Sequence, residues 1–464
     1  MKDVLIIGSG IAGLSAAIEA AEKDMHAILV SPRPSEQSQS VMASGGINAA
    51  LGANDSFEKH FEDTYKSGGC LENKDDVLAM CKAAPDIIKW LCSIGTLFTR
   101  NEDGSLSQRA FGGQSENRTC YCGASTGKHI MTALIQKCRE YEISGKIERS
   151  TGLYFTELII KDGICFGAAF TDENGQSSKE IYADYTLACT GGLNGMLGKT
   201  TGSRLNDVYA AAEMFVQGVR MRNLEFVQYH PTCIDAQGKK IMISEASRGE
   251  GGRLYYLDGD KKVYFMEDAF GPKGNLMPRD VVCEYMRKAP SQVYLDISFL
   301  DKDVLSKKLL EVCDICKTYL KLDPSKESIP VSPAPHFFMG GLYVDSNHET
   351  NIKNLFAAGE CASKYHGKNR LGGNSLLAGI YGGRLAADVI SKREDAESKV
   401  ACGIFDCDKS LSADDKKETL DVLKKAYEMS LAERKDLSQG ESFAEYKDGN
   451  VVITFSAKEG GVQC

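Results

Sequence analysis

The sequence predicts an α/β fold in which a parallel-sheet domain is interrupted by an inserted α+β domain and followed by a short helical tail. Three observations carry that expectation. Residues 3 to 30 read as strand (VLII), glycine loop (GSGIAG), helix (LSAAIEAAEKD) and strand (HAILV), the order and length of a parallel βαβ crossover. From about 221 to 336 the pattern turns irregular and charge-rich, with turn signals YLDGDKK and FGPKGN and one helix near 303 to 320. LYVD and NLFAAGE then resume the strand pattern, and LLAGIYGGRLAADVISK reads as a helix. The expected divisions are 1–220 (sheet domain, first part), 221–336 (insertion), 337–395 (sheet domain, second part) and 396–464 (extension).

Within the first division, residues 76 to 95 and 127 to 141 have helical amphipathic spacing, and 147 to 187 alternates short strands with hairpin signals such as DENGQ. The tail, DDKKETLDVLKKAYEMSLAERKD, reads as a small, exposed, charged helix. At 464 residues, 42% apolar and 26% charged, the chain has ordinary globular composition. A net charge of −9 argues against nucleic acid as a partner. No apolar run approaches the roughly 18 to 20 residues that cross a bilayer, and MKDVLIIGSGIAG lacks a signal-peptide core, so the expectation is a cytoplasmic protein without membrane insertion. The sixteen cysteines then read as reduced, mostly core residues. Cys313 and Cys316 form a CxxC pair, but their surroundings are spaced as a helix and no second pair follows at zinc spacing; core packing is expected. Cys120 and Cys122 are read the same way.

Gly8, Gly10 and Gly13 form GxGxxG directly after a strand and at the start of a helix. In that context the glycines allow a tight turn and let backbone N–H groups approach a pyrophosphate, which points to a dinucleotide cofactor. The second strand ends in LVSPRP, with Ser31 where an acidic residue would hold a ribose, so this loop alone leaves NAD and FAD open.

SVMASGGINAAL (40–51), LACTGG (187–192), EFVQYHPT (225–232), SEASRGEGGRL (244–254), PRDVV (278–282), HFFMGGLYVD (336–345) and NLFAAGECASKYHGKNRLGGNSLL (354–377) occur in that order. This series resembles the fumarate reductase and succinate dehydrogenase flavoprotein family, which includes L-aspartate oxidase. The resemblance implies a Rossmann-like FAD-binding domain with an inserted capping domain. It implies that Ser31, Ser40, Gly45, Gly46, Thr190, Gly191, Glu360 and the helix start Asn374, Ser375 and Leu376 join the three glycines around FAD. His230, Ser244, His336 and Arg370 would hold substrate carboxylates, Arg279 would donate the proton, and Glu245 and Arg248 would relay protons to it. Arginine suits a planar, two-point hold on a carboxylate. As an acid it is reluctant, so the donor needs a relay that replaces its proton. Of seven histidines, His230, His336 and His366 hold motif positions, while His26, His60, His129 and His348 are read as structural or surface residues.

The chain also departs from the family pattern. Gln39 stands where membrane-bound relatives attach FAD through histidine, so non-covalent FAD is expected. Ala124 replaces an acidic residue, and SRLNDVYA (203–210) replaces a glycine-flanked acidic turn. The extension is shorter than in relatives that dock an iron–sulfur subunit, and the chain carries no haem motif or ferredoxin-type cysteine cluster. A separate electron donor or acceptor, protein or small molecule, is expected. The expected activity is hydride exchange with fumarate, succinate or a related unsaturated acid; the alternative is L-aspartate oxidase. Phe111 precedes Gly112 and Gly113 where the oxidases carry a glutamate for the substrate ammonium, which favours the dicarboxylate.

Overall fold

The computed structural model describes residues 1–464 except 124, 204–205, 207, 237, 395–401, 408–410 and 457–464. Ala124, part of the altered turn at 203–210 and the boundary at 395/396 therefore lie outside the described residues. β1 (Asp3–Ile7), α1 (Ile11–Glu22) and β2 (His26–Ser31) form the opening crossover. β3 (Ile147–Thr151), β4 (Tyr185–Ala188) and the strand Leu355–Ala357 complete an all-parallel sheet, ordered Leu355–Ala357, β4, β1, β2, β3. Val4, Leu5 and Ile6 are all fully buried, because helices and loops cover both faces of a parallel sheet; VLII is therefore a continuous apolar run. The meander between β3 and β4 is observed as Tyr154–Lys161, Ile164–Thr171 and Ser178–Tyr182, and the expected helices are Lys74–Ser93 and Thr126–Ile143.

The chain leaves this domain through the strand Met221–Arg222 and returns through Gly341–Leu342, and these two pair antiparallel. The insertion between them contains a six-stranded antiparallel sheet in which β5 (Val227–Ala236) and β6 (Ile329–Phe338) are neighbours. α2 (Arg279–Lys288) sends Val282 and Met286 into its core beside Leu254, Leu295 and Val331. The helix expected near 303 to 320 is interrupted: Leu310–Ile315 is flanked by wider turns at Val304–Lys308 and Cys316–Leu320. Cys313 and Cys316 are free thiols in that core, and burial pushes Cys316 up to about 12. Cys120 and Cys122 are likewise buried and free.

α3 (Asn374–Lys392) lies against α1 so closely that a Cβ on Gly383 would stand 2.3 Å from the Ala12 carbonyl oxygen. The tail contains α4 (Ala413–Glu433), but it is neither wholly helical nor wholly exposed. Leu423 and Ala426 are buried in one core cluster with Tyr209 and Phe215, and a hairpin of Ser442–Lys447 and Asn450–Phe455 follows. Its first strand pairs with Met221–Arg222, where Arg222 donates to Glu72 Oε2 (3.0 Å) and Glu441 Oε1 (2.9 Å). Buried charge of this kind needs partners on every side, which ties the tail to the root of the insertion. Fourteen described cysteines carry free thiols, and Cys70 is disulfide-bonded. Among the described residues no helix is long and apolar enough to cross a membrane.

Candidate active site

A cavity of about 770 Å³ runs between the sheet domain and the insertion. Its wall contains Gly8 and Gly10, Ser31 at the end of β2, Ser40, Gly45, Gly46, Thr190, Gly191, Glu360, and Ser375 and Leu376 in the first turn of α3. The same cavity is lined by His230, Ser244, Glu245, Arg279, His336 and Arg370. Three sequence-predicted residues stand behind the wall: Gly13, Arg248 and Asn374. At Gly13 a Cβ would meet the Gly8 carbonyl oxygen at 1.9 Å, so this glycine lets the helix start tightly on the loop and does not itself face the cavity. The Asn374 side chain turns inward: Nδ2 donates to Thr64 Oγ1 (2.9 Å), and Oδ1 accepts from Asn48 Nδ2 (2.7 Å) and faces His60 Nε2 (2.9 Å). Burial drags His60 down to about 4, so it is a neutral part of this polar core.

The nucleotide half of the cavity fits FAD. α1 and α3 both begin on glycine, Gly10 and Gly373, with no side-chain cap, and their positive ends open on the cavity. The Ile11 N–H is met by Ser40 Oγ at 3.1 Å, and Ser31 Oγ donates to the Arg33 carbonyl at 2.8 Å. Glu360 Oε1 accepts from Asn194 Nδ2 (3.0 Å) and the Phe338 N–H (3.1 Å), and burial raises its carboxyl to about 7. Asn194 Oδ1, buried in the wall, has no protein partner. An elongated ligand with phosphates in its middle and hydroxyls along its chain satisfies all of these groups.

The other half is strongly polarised. A β-bulge in the β5–β6 pairing skips His336, and the His230 and His336 rings come to 5.3 Å, edge to face. Burial, then Arg279, push both imidazoles well below their usual range, so both are neutral N–H donors. His336 Nδ1 meets Thr201 Oγ1 at 2.8 Å, and His230 Nε2 is buried without a partner. Glu245 Oε2 accepts from Arg279 Nε (2.8 Å) and Nη2 (2.7 Å); its Oε1 accepts from the Gly112 N–H (2.9 Å) and lies 3.4 Å from Arg248 Nη2. Burial would raise this carboxyl, but Arg279 and Arg248 outweigh it and hold Glu245 at about 2. Arg370 has no carboxylate within pairing distance among the described residues. Its guanidinium lies over the Phe337 ring at 4.3 Å, and burial and Arg279 lower it to about 9.

Comparison with known proteins shows the family. Residues 3–376 match the model of the FAD binding domain family. The chain is 38% identical over 423 residues to the succinate dehydrogenase flavoprotein subunit of Bacillus subtilis, covering 87% of this chain and 72% of that one. The chain belongs to the fumarate reductase/succinate dehydrogenase flavoprotein family. To the L-aspartate oxidase of Clostridium acetobutylicum it is 32% identical over 429 residues, covering 88% of this chain and 94% of that one. A quinol–fumarate reductase structure with menaquinol molecules superposes with a TM-score of 0.80 at 31% identity, over 93% of this chain and 75% of that one. As a member of this flavoprotein family the chain binds FAD and is an FAD-dependent oxidoreductase.

Some groups in this flavoprotein site were not anticipated from sequence. Gln228 Oε1 accepts from Arg279 Nη1 (2.8 Å) and from Arg370 Nη2 (2.9 Å), so one amide oxygen spaces the two arginines. Gln228 lies two residues before His230 on a strand, and strand alternation alone puts both on one face. Thr201, Phe337 and the Gly112 N–H carried no comparable local signal.

Proposed function

We propose that this flavoprotein exchanges a hydride with fumarate, succinate or a related small unsaturated acid, with Arg279 as the proton donor. The observation that carries the reading is the buried Arg279–Glu245–Arg248 chain ending at the cavity beside an Arg370 that pairs with no acid among the described residues. Bound FAD supplies hydride transfer. Arg370 grips one carboxylate through charge-assisted hydrogen bonds, and neutral His230, His336 and the Ser244 hydroxyl donate to the substrate without adding charge. Arg279 gives a proton to the carbon opposite the hydride, and the replacement crosses from Arg248 through the ionised Glu245 carboxylate, whose Oε2 is held 2.7 Å from Arg279 Nη2. Arg248 then regains its proton from solution.

The FAD is proposed to be non-covalent, since Gln39 lies at the cavity where a histidine would be needed. The electron partner is proposed to be a separate protein or small molecule. A cytoplasmic location is part of the same proposal, supported by the fourteen free thiols, with the disulfide-bonded Cys70 the exception to the expected reduced cysteines. Activity as an L-aspartate oxidase is the second reading, favoured by the extent of the match to the Clostridium acetobutylicum enzyme. Against it, Phe111 presents a ring to the cavity, and Glu245 is already engaged by two arginines and Gly112. Chemically reduced holoprotein mixed anaerobically with fumarate should reoxidise rapidly, and Arg279→Ala should keep the flavin spectrum and lose this reaction. Fumarate inertness with L-aspartate-dependent oxygen consumption would establish the second reading.

A further inference from the structure

We propose that Asn369 is a positioning residue that sets the spacing of Arg279 and Arg370 by clamping the insertion to the sheet domain. The proposal rests on the reading of Arg279 as proton donor. Asn369 precedes Arg370 in HGKNRLGG and is only 4% exposed, yet the cofactor and substrate contacts assigned to that motif leave it without a role. Its amide faces the insertion with both ends. Oδ1 accepts from Gln228 Nε2 at 2.8 Å, and Nδ2 donates to Asp280 Oδ1 at 2.9 Å.

These two partners are the ones that matter for spacing. Gln228 Nε2 also donates to the Arg370 carbonyl (2.6 Å), and its Oε1 is the shared acceptor between the arginines. Asp280 follows Arg279 in the first turn of α2, so holding Asp280 holds the helix from which Arg279 projects. A primary amide is the small group that can do both at once, accepting on one side and donating on the other.

Asn369 is itself anchored. The Lys368 N–H donates to the Gly68 carbonyl (2.9 Å), Ser67 Oγ donates to the Asn369 carbonyl (3.0 Å), and the Gly367 N–H donates to Glu72 Oε1 (3.2 Å). The clamp therefore hangs from the segment 67–72 of the sheet domain and ends on α2. If it is released, Gln228 is free to rotate and α2 to drift, and the two guanidinium groups lose their common reference. Substrate affinity through Arg370 is less affected than the proton transfer, which depends on placement at both ends.

The donor and acceptor of the Asn369–Asp280 contact can be exchanged. Asn369→Asp keeps the acceptor for Gln228 but sets a carboxylate against Asp280; adding Asp280→Asn restores a donor–acceptor pair in the opposite sense. With reduced benzyl viologen and fumarate, Asn369→Asp should lower kcat by about 10- to 100-fold with a smaller change in KM. The double variant should recover most of that loss. Wild-type kcat in Asn369→Asp, or no recovery in the double variant, overturns the proposal. Should Asn369→Asp fail to retain FAD, Asp280→Ala at the exposed end of the same link decides: lowered kcat supports the clamp and unchanged kcat overturns it. Amide hydrogen exchange of residues 279–288 in the FAD-loaded Asp280→Ala variant reads the link without any substrate. Faster exchange supports it and unchanged exchange overturns it, even if the wild-type protein proves inert to fumarate and the functional reading fails.

Discussion

Gly112→Ala tests how tightly the proton relay depends on the join between the two domains. Gly112 lies in the sheet domain, and its N–H holds Glu245 of the insertion at 2.9 Å. A Cβ at this position would lie 2.7 Å from Glu245 Oε1 and 2.9 Å from the Met277 carbonyl oxygen, where ordinary contact begins near 3.4 Å. Gly112 does not have a positive φ, so alanine brings no backbone strain and the effect is purely steric. Relief requires the insertion to withdraw, or Glu245 to swing, by about 0.7 Å, and overpacking of this kind costs about 1–3 kcal/mol. Misplacement of a reacting group on this scale costs up to about 100-fold, so kcat for fumarate should fall by about 10- to 100-fold while FAD stays bound. The assay is viologen-coupled fumarate reduction together with the flavin absorbance of the purified protein. A kcat within about twofold of wild type would refute the dependence of the relay on this contact.

Arg370→Ala should raise KM for fumarate by about 30-fold or more, the equivalent of about 2 kcal/mol for a buried charge pair that is truncated; a loss confined to kcat would remove the carboxylate grip. Acid precipitation should release the yellow cofactor into the supernatant, and a yellow pellet would show a covalent bond. Glu245 should also leave a mark on stability. Its folded value is depressed to about 2, so its contribution is present above the ordinary carboxylate value and lost as pH falls through about 2. The difference in stability between wild type and Glu245→Gln should shrink by about 3 kcal/mol across that window, and a pH-independent difference would show that the carboxylate is not held ionised.

The parts of the fold legible in the sequence are those whose causes are local. β1, the glycine loop and α1 are adjacent in the chain, so periodicity and turn chemistry suffice to place them. The arginines and histidines of the site come from distant segments, and only the order of their motifs pointed to a common cavity. What periodicity could not show is how a residue divides its hydrogen bonds. Gln228 as a shared acceptor, Asn374 turned into the Asn48–His60 core and the Gly112 N–H under Glu245 each depend on a second segment arriving. The tail hairpin is different, because its signal was present. Asp448 and Gly449 both take positive φ, as a two-residue hairpin turn requires, and KDGN between SFAEY and VVITF advertises that turn. The preceding run of helical charge drew the reading past it.

The pairing of Met221–Arg222 with the tail hairpin has a consequence for biosynthesis. Arg222 and Glu441 are 219 residues apart, so the strand at the root of the insertion waits for its neighbour while the intervening chain is translated. At about 5–20 residues per second that interval is roughly 10 to 40 s. For the second half of it the insertion is fully translated and able to form its own core, while the strand at its root still has an open edge. The nascent chain thus has a complete insertion before the strand at its root is paired on both sides, and a ribosome that stalls between the two leaves that strand edge open to proteases and chaperones.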